Sequence, residues 1–350
     1  MLTQDTHELD LILGNSNKRF SGVTSTMLQV LEEQKKILNV AVLGDHFVPE
    51  GTTTLSFWQA TKLRKNRKKP LVFHARRNNE MLQALVLKVC FRVPMKIVFT
   101  STAQRYHSWL TRWLMSKMDG LVSTCAAAAH YMKYKPAIII PHGIDQTIYT
   151  PAVDKSALWH ELGLKGKYGI GIFGRVRKQK GIDLLVDAAI PLLNKHKDYN
   201  IIIVGEITPD NHAFVDEQKQ KIADANLENR FTFTGKQPFE NIPKLFRAMS
   251  IITALSRNEG FGLTVLEAMS SGVPVLASSA GAWPEIISDG IDGYLTPCGD
   301  LSAVSQRLEH LMSLSTTTLG DMGIHGRKKI EERYTTQREA QALCQYFKSL

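Results

Sequence analysis

Short apolar runs, each long enough for one strand and too short for a helix, alternate with amphipathic stretches along almost the whole chain. In the first half the runs are 10–13, 39–43, 71–73, 96–99, 120–123 and 137–140, bounded by polar residues. Such runs are what strands covered on both faces look like, and 24–36 and 108–117 between them carry the spacing of helices. Strand–helix repetition of this kind demands an α/β fold with a doubly wound parallel sheet. The pattern pauses at Pro141-His142-Gly143-Ile144-Asp145 and resumes after Pro151. Runs at 169–173, 200–204, 231–234, 251–255 and 273–277 follow, with helices expected over 181–195, 216–225, 262–271 and 301–311. The reading is therefore two Rossmann-like domains, 1–150 and 151–330. A helical tail closes the chain, its last part, 331–350, packing back towards the first domain. Paired domains of this type commonly bind ligands in a cleft between them.

With 350 residues and 43 % hydrophobic content, each half has enough apolar material for a core of its own. Met1–Asp10 lacks the basic and apolar regions of a secretory leader, and no run of about 18 apolar residues occurs, so a cytoplasmic protein is expected. The four cysteines have no metal-ligand spacing and fit a reducing compartment. The net charge of +10 is uneven: residues 1–150 hold 20 basic and 10 acidic side chains, residues 151–350 hold 23 of each. The densest run is Lys62, Arg64, Lys65, Arg67, Lys68 and Lys69. It reads either as a solvated helix end or as a patch for an anionic membrane surface, a phosphorylated acceptor or nucleic acid.

The most specific segment is Glu259-Gly-Phe-Gly-Leu-Thr-Val-Leu-Glu267. A glycine turn at a helix start leaves bare N–H groups and the positive end of the helix dipole facing an anion. Glu267, further along that helix, suits a ribose diol; Glu259, in the loop, suits sugar hydroxyls. The second segment is Phe173-Gly174-Arg175-Val-Arg177-Lys178-Gln-Lys180-Gly181-Ile-Asp183. It sets Arg175 and Lys180 at the C-terminal end of a parallel strand, where an Arg fork and a Lys point charge fit a diphosphate and neutralise it as a leaving group. Two weaker segments lie in the first half. Arg19-Phe-Ser-Gly22-Val23-Thr24 is a single-glycine loop after the first strand. His74-Ala-Arg76-Arg77-Asn78-Asn79-Glu80 and Thr100-Ser101-Thr102-Ala-Gln104-Arg105-Tyr106-His107 are polar strand ends, suited to acceptor or sugar contacts. His74 is a candidate acid/base group there. Each segment also has a plain reading as capping residues, a tight turn or a solvated loop.

Taken together, these segments resemble glycosyltransferase family 4, retaining enzymes of the GT-B fold. "FGRVRKQKGID" resembles the family's diphosphate-binding Arg/Lys segment, and "NEGFGLTVLEAMSSGVPVLAS" resembles its paired-glutamate segment. "VGE" and "PHGID" resemble its base-side turn and interdomain connection. "HARRNNEM", "SGVTSTM" and "VFTSTAQRYHSWLTRWLMSKMDGLVSTC" are similar to the lipopolysaccharide core mannosyltransferases within it.

The resemblance implies transfer of a hexose, with mannose favoured, from a nucleotide-diphosphate sugar, with GDP-mannose favoured, to a lipopolysaccharide core acceptor. Arg175 and Lys180 would hold the diphosphate, Glu267 the ribose and Glu259 the sugar. N–H groups of Phe261, Gly262 and Leu263 would assist, and Gly22 would allow close approach to the diphosphate. Arg76, Arg77, Thr100 and Arg105 would face the acceptor. Thr100 stands where many members carry a histidine. Retention would proceed by front-face attack, with no cofactor and, lacking an Asp-x-Asp segment, no metal ion. The acceptor would bring the enzyme to the inner face of the cytoplasmic membrane. Trp109–Lys117 is an aromatic-basic stretch suited to that surface, or else a core-packed helix. A UDP-sugar with another glycan acceptor, a sugar-nucleotide epimerase and a basic nucleic-acid-binding protein are the other readings; no nucleic-acid motif is present.

Overall fold

The structure, a computed structural model, describes residues 8–18, 21–64 and 71–350. The chain divides into two compact units. One runs to Gly143 and includes Thr335–Leu350; the other is Ile144–Tyr334.

In the first unit the order is β1 (Leu11–Gly14), α1 (Gly22–Lys35), β2 (Val40–Leu43), β3 (Thr54–Leu55), α2 (Phe57–Ala60) and β4 (Leu71–Ala75). It continues with α3 (Asn78–Val89), β5 (Met95–Ser101), α4 (Trp109–Met115), β6 (Gly120–Ser123), α5 (Ala126–His130) and β7 (Ile138–Ile139). Among the described residues these strands form one parallel sheet in the order β3-β2-β1-β4-β5-β6-β7. Leu11 lies opposite both Val40 and Val72, fixing the centre of the sheet. The two-residue period of a strand sends alternate side chains to opposite faces. Accordingly Ile12, Leu43, Phe73 and Ile97 enter one core while Leu11, Leu13, Val42, Val72 and Val98 enter another. The second of these cores is closed by Met27, Val30 and Leu31 of α1 and by Leu343 and Phe347 near the C-terminus. The run at 137–140, expected to be a buried strand, is a two-residue edge strand whose Ile138 and Ile139 are exposed, with no strand beyond β7 among the described residues.

The second unit follows the same plan. Its elements are α6 (Lys155–Glu161), β8 (Tyr168–Phe173), α7 (Ile182–Lys195), β9 (Tyr199–Val204), α8 (His212–Asp224), β10 (Phe231–Gly235) and α9 (Ile242–Ala248). Then come β11 (Ile251–Ala254), α10 (Leu263–Ser270), β12 (Val275–Ser278), α11 (Trp283–Ile286), β13 (Gly293–Thr296), α12 (Leu301–Ser313) and α13 (Thr316–Arg333). Six parallel strands stand in the order β10-β9-β8-β11-β12-β13. The order reverses at β8 and β11, so the crevice at their C-terminal ends is where this architecture takes a ligand.

The tail is two helices. α13 ends at Arg333, and Thr335 caps α14 (Thr336–Lys348), its side chain accepting from the Arg338 N–H at 3.2 Å. The unit boundary falls a little ahead of position 150 for a local reason. Glu339 of α14 accepts from the Gly143 N–H at 2.7 Å and lies 2.8 Å from His142 Nδ1. The turn at Pro141–Gly143 therefore belongs to the first unit. Ile144 donates to the Tyr334 carbonyl at 2.8 Å within the second.

Candidate active site

Two loops of the second unit, one after β8 and one after β11, are stitched to each other. Arg257 grips the Asp183 carboxylate with both nitrogens, at 2.8 and 2.9 Å, and donates to the Lys178 carbonyl at 2.6 Å. Gln179 donates to the Asn258 carbonyl at 2.9 Å. A bidentate guanidinium–carboxylate pair fixes orientation as well as distance. The two sequence segments are thereby held as one wall.

Two glycines make that wall possible. Gly181, with φ +75°, ends the first loop, and a Cβ there would meet the Leu255 carbonyl oxygen at 2.2 Å. Gly262, with φ +83°, starts α10, and a Cβ there would strike Trp283 Nε1 at 2.4 Å. Trp283 Nε1 donates to the Gly262 carbonyl at 2.9 Å, locking the turn. Only glycine combines a positive φ with so close an approach. The first N–H groups of α10, at Leu263 and Thr264, start a helix whose opening turn carries no acidic residue and, like any helix start, have no intrahelical acceptor.

On this wall Arg175, Lys180, Thr264 and Glu267 line a cavity of about 290 Å³, together with Glu206 and Lys236. Glu259 joins through Lys180: Lys180 Nζ donates to Glu259 Oε2 at 2.5 Å, with both side chains only 19 % exposed. Ser256 Oγ at 3.2 Å and the Gly260 N–H at 3.2 Å also donate to the Glu259 carboxylate. Arg175 Nε stands 3.9 Å from Glu206 Oε2, a loose pair that leaves the guanidinium half exposed. Phe261 is buried beside the turn.

Glu267 sits deeper. Tyr149 Oη donates to Glu267 Oε1 at 2.9 Å. Burial pushes the carboxyl up to about 7; the Tyr149 hydrogen bond and the nearby Lys180 ammonium oppose that rise without cancelling it. Burial, and then the Glu267 charge, push the Tyr149 phenol upward, so it remains a donor. Tyr149 is itself anchored: its carbonyl accepts from Ser270 Oγ at 2.7 Å and from Arg327 Nη1 at 2.7 Å. Sequence reasoning passed over Tyr149, which lies in an irregular segment far from Glu267 along the chain. It also passed over Lys236 and Gln237, although their position after β10 was a usable signal, since ligands gather at strand C-termini.

In the first unit the expected residues have other partners. His74 is fully buried, Nε2 lies 2.7 Å from Thr100 Oγ1, and the ring meets Phe347 edge-on at 5.1 Å. Burial, and then the Arg76 and His142 charges, hold its pKa well below the usual range. With no exposed surface, His74 is closed off between Thr100 and Phe347, and the geometry corrects the acid/base expectation for it on that ground alone. Thr100 is buried and engaged with it. Arg77 is also committed internally, to Glu80 at 2.7 Å, Ser21 at 2.9 Å and Thr24 at 2.8 Å. Glu80, without solvent exposure, further accepts from the Arg76 and Arg77 N–H groups. Arg77 thus ties down the start of α1 rather than standing free for an acceptor. Arg76 differs: Nε and Nη1 are buried without a hydrogen-bond partner among the described residues. Arg105 is exposed. A Cβ on Gly22 would meet open space, so packing does not require glycine there. Most of the Lys62–Lys69 run lies outside the described residues. Trp109 and Trp113 are 72 % and 47 % exposed, which removes the core-packing reading of α4 for those two rings. Among the described residues no helix is long and apolar enough to cross a membrane.

Residues 159–329 match the model of the family described as glycosyl transferases group 1. Over 99 % of its length the chain is 35 % identical to the lipopolysaccharide core biosynthesis mannosyltransferase LpcC of Rhizobium leguminosarum bv. viciae, covering 98 % of that protein. It is 36 % identical to the lipopolysaccharide core biosynthesis mannosyltransferase LpsB of Rhizobium meliloti (strain 1021), covering 99 % of each chain. Among solved structures, the C-terminal domain of the group 1 family protein LpcC from Francisella tularensis is 37 % identical. It covers 55 % of this chain and 99 % of its own, with a TM-score of 0.53. Anabaena Alr3699/HepE, solved with UDP and glucose, is 19 % identical, covers 98 % of this chain and 100 % of its own, and has a TM-score of 0.79. That likeness concerns the two-sheet GT-B fold.

Proposed function

The chain belongs to the group 1 glycosyl transferases and is a glycosyltransferase; from that premise we propose that it moves mannose from GDP-mannose to a lipopolysaccharide core acceptor, with retention at the anomeric carbon and without a metal ion. The near full-length identity to two proteins named as lipopolysaccharide core mannosyltransferases supports the sugar and the acceptor. The observation that carries the reading is the meeting of Arg175, Lys180 and Glu267 around one cavity at the strand-order reversal, with Glu259 joined to it through Lys180.

Arg175 and Lys180 hold the diphosphate, whose charge grows as the glycosidic bond breaks. Fixed cations in a partly water-excluded pocket stabilise that charge without reorganising. The N–H groups opening α10 add the helix dipole to the same task. Glu267, ionised, accepts from the ribose diol, and Glu259 accepts from hydroxyls of the sugar. Lys180 and Glu259 neutralise each other at 2.5 Å. Donor binding replaces that contact with two new ones, diphosphate to Lys180 and sugar to Glu259. The acceptor hydroxyl attacks from the face the diphosphate leaves, and the departing phosphate oxygen takes its proton. The enzyme works at the cytoplasmic membrane face, where such an acceptor is anchored.

The test is a panel of GDP- and UDP-sugars screened by thermal shift, followed by transfer with EDTA present and NMR of the product anomer. A ligand that binds only the folded state raises the melting temperature. GDP-mannose alone among the sugars should stabilise the chain and give an axial, retained linkage unaffected by EDTA. A shift with a UDP-sugar only, loss of turnover in EDTA, or epimerised donor without acceptor would each replace the corresponding part of the reading.

A further inference from the structure

The last torsion of a glutamate side chain is broad, so a carboxylate that must face one way needs a fixed donor to hold its plane. At Glu267 that donor is Tyr149 Oη, 2.9 Å from Oε1, which leaves Oε2 open among the described residues. Tyr149 itself lies in the segment 145–150, which has neither helix nor strand to fix it. Its ring is confined by Phe246, edge-on at 5.6 Å, but its backbone must be held from elsewhere.

Arg327 of α13 holds it. Nη1 reaches four oxygens: the carbonyls of Gln146 at 3.1 Å, Tyr149 at 2.7 Å and Ser270 at 2.8 Å, and Ser270 Oγ at 3.2 Å. Ser270 Oγ donates in turn to the Tyr149 carbonyl at 2.7 Å. Ser270 closes α10, three residues beyond Glu267. One nitrogen therefore grips both backbones that carry the Tyr149–Glu267 hydrogen bond. The guanidinium is held from its other side, Nε donating to Glu331 Oε1 at 2.6 Å, and the side chain is only 19 % exposed. The sequence gives up helix propensity to bring it there. Glycine is unfavourable inside a helix, yet α13 carries Gly323, where a Cβ would collide with the Gly272 carbonyl oxygen just past α10. That close approach puts Arg327 within reach of Ser270 and Tyr149.

We propose that Arg327, seconded by Ser270, is a positioning residue of the donor site: it fixes the Tyr149 phenol against Oε1 of Glu267 and so presents Oε2 to the ribose hydroxyls. The inference rests on the ribose role given to Glu267 above and adds a residue that touches neither donor nor Glu267. Lysine cannot substitute, because a single ammonium on a shorter stem does not span these oxygens while keeping Glu331.

The experiment is calorimetric titration of GDP, 2′,3′-dideoxy-GDP and GMP into the full chain and its variants at about pH 8.5, where Glu267 is ionised. The wild type should prefer GDP to the dideoxy nucleotide by about tenfold or more, the worth of a hydrogen bond to a charged group. Arg327→Lys should cut that preference about fivefold while leaving the preference of GDP over GMP within about twofold. A brace for the fold alone would move both ratios together or neither. Tyr149→Phe should lose the ribose preference to a similar degree, and Tyr149→Phe/Arg327→Lys should lose no more than Tyr149→Phe does, since both act through one phenol. If Arg327→Lys does not fold, Ser270→Ala decides: about a threefold cut in the same preference is expected, and an unchanged one overturns the proposal. A ribose preference retained in folded Arg327→Lys, a GDP-over-GMP preference lost with it, or additive losses in the double variant would also overturn it. A wild type indifferent to the ribose hydroxyls would instead remove the ribose role of Glu267 and this inference with it, so the two failures are told apart by the wild-type titration.

Discussion

The strand ends of the two units carry similar polar residues and use them differently. After β8 and β11 the charged groups turn outward into a cavity, with Lys180, Arg175 and Glu267 on its wall. After β4 and β5 the charged and polar groups turn inward: Arg77 is divided among Glu80, Ser21 and Thr24, and His74 is closed against Thr100. The difference comes from the glycine turns. Gly181 and Gly262, at positive φ, let the two loops pack closely enough to form one wall, with no side chain of their own upon it. The first unit has Glu80 after β4, a buried carboxylate that takes the Arg76 and Arg77 N–H groups and the Arg77 guanidinium. A polar strand end therefore becomes a binding wall or a structural knot according to what the adjacent turn leaves uncovered.

Substitutions separate the two roles. The largest effect is expected for Lys180→Ala, which on the proposed reading removes a cation from the leaving group. Its transfer rate should fall by roughly 10²-fold or more with the melting temperature little changed. Arg77→Ala should do the reverse. It leaves Glu80 buried with backbone donors alone, so chemical denaturation should report a loss of about 3 kcal/mol, with kcat of the folded fraction nearly intact. If Arg77→Ala cuts kcat and spares stability, the knot is a binding wall after all.

The third test is pH. The Glu267 carboxyl is raised to about 7, so the folded state holds a proton there that the unfolded chain releases near the ordinary carboxylate value. Its contribution to stability therefore falls as pH rises from about 4.5 to about 7. Donor binding goes the other way, because ribose hydroxyls donate to the ionised form. GDP affinity should rise by up to roughly tenfold per pH unit below 7 and level off above it. Glu267→Gln should flatten that slope, and Tyr149→Phe, which removes the phenol hydrogen bond, should move its midpoint upward. Isothermal titration across pH 5.5–8 reads both. The smallest effect is expected at His74. His74→Gln should leave the pH–rate profile unchanged and kcat/KM within about threefold, the cost appearing as about 1 kcal/mol of stability.

Much of this architecture could be read from residue order. Strand-length apolar runs and glycine-bounded helices gave both sheets, because strands covered on both faces cannot tolerate polar interruptions. The misses share a cause. β3 is two residues long, and β13, Gly293–Thr296, starts on glycine, so neither offers a period to detect. α3 begins Asn78-Asn79, a pair that favours turns in isolation, yet Glu80 accepts backbone N–H groups and anchors its start. In the site, the placement of Lys180 and Glu267 on one cavity wall was legible because charge and glycine spacing sit together in sequence. Tyr149, the Arg257–Asp183 clamp and the enclosure of His74 depend on residues brought together only by folding. The exposure of Trp109 and Trp113 had the same difficulty: ring-rich helices look alike whether they face a core or a membrane.

The central claim is that one diphosphate is held by Arg175 and Lys180 while Glu267 holds the ribose. Calorimetric titration of GDP and of GMP into the wild-type chain and into Lys180→Ala tests it most directly. The account predicts that GDP binds the wild type much more tightly than GMP, and that Lys180→Ala removes most of that preference by weakening GDP about tenfold or more while sparing GMP. Equal affinities for GDP and GMP in the wild type, or an undiminished GDP preference in Lys180→Ala, would contradict it.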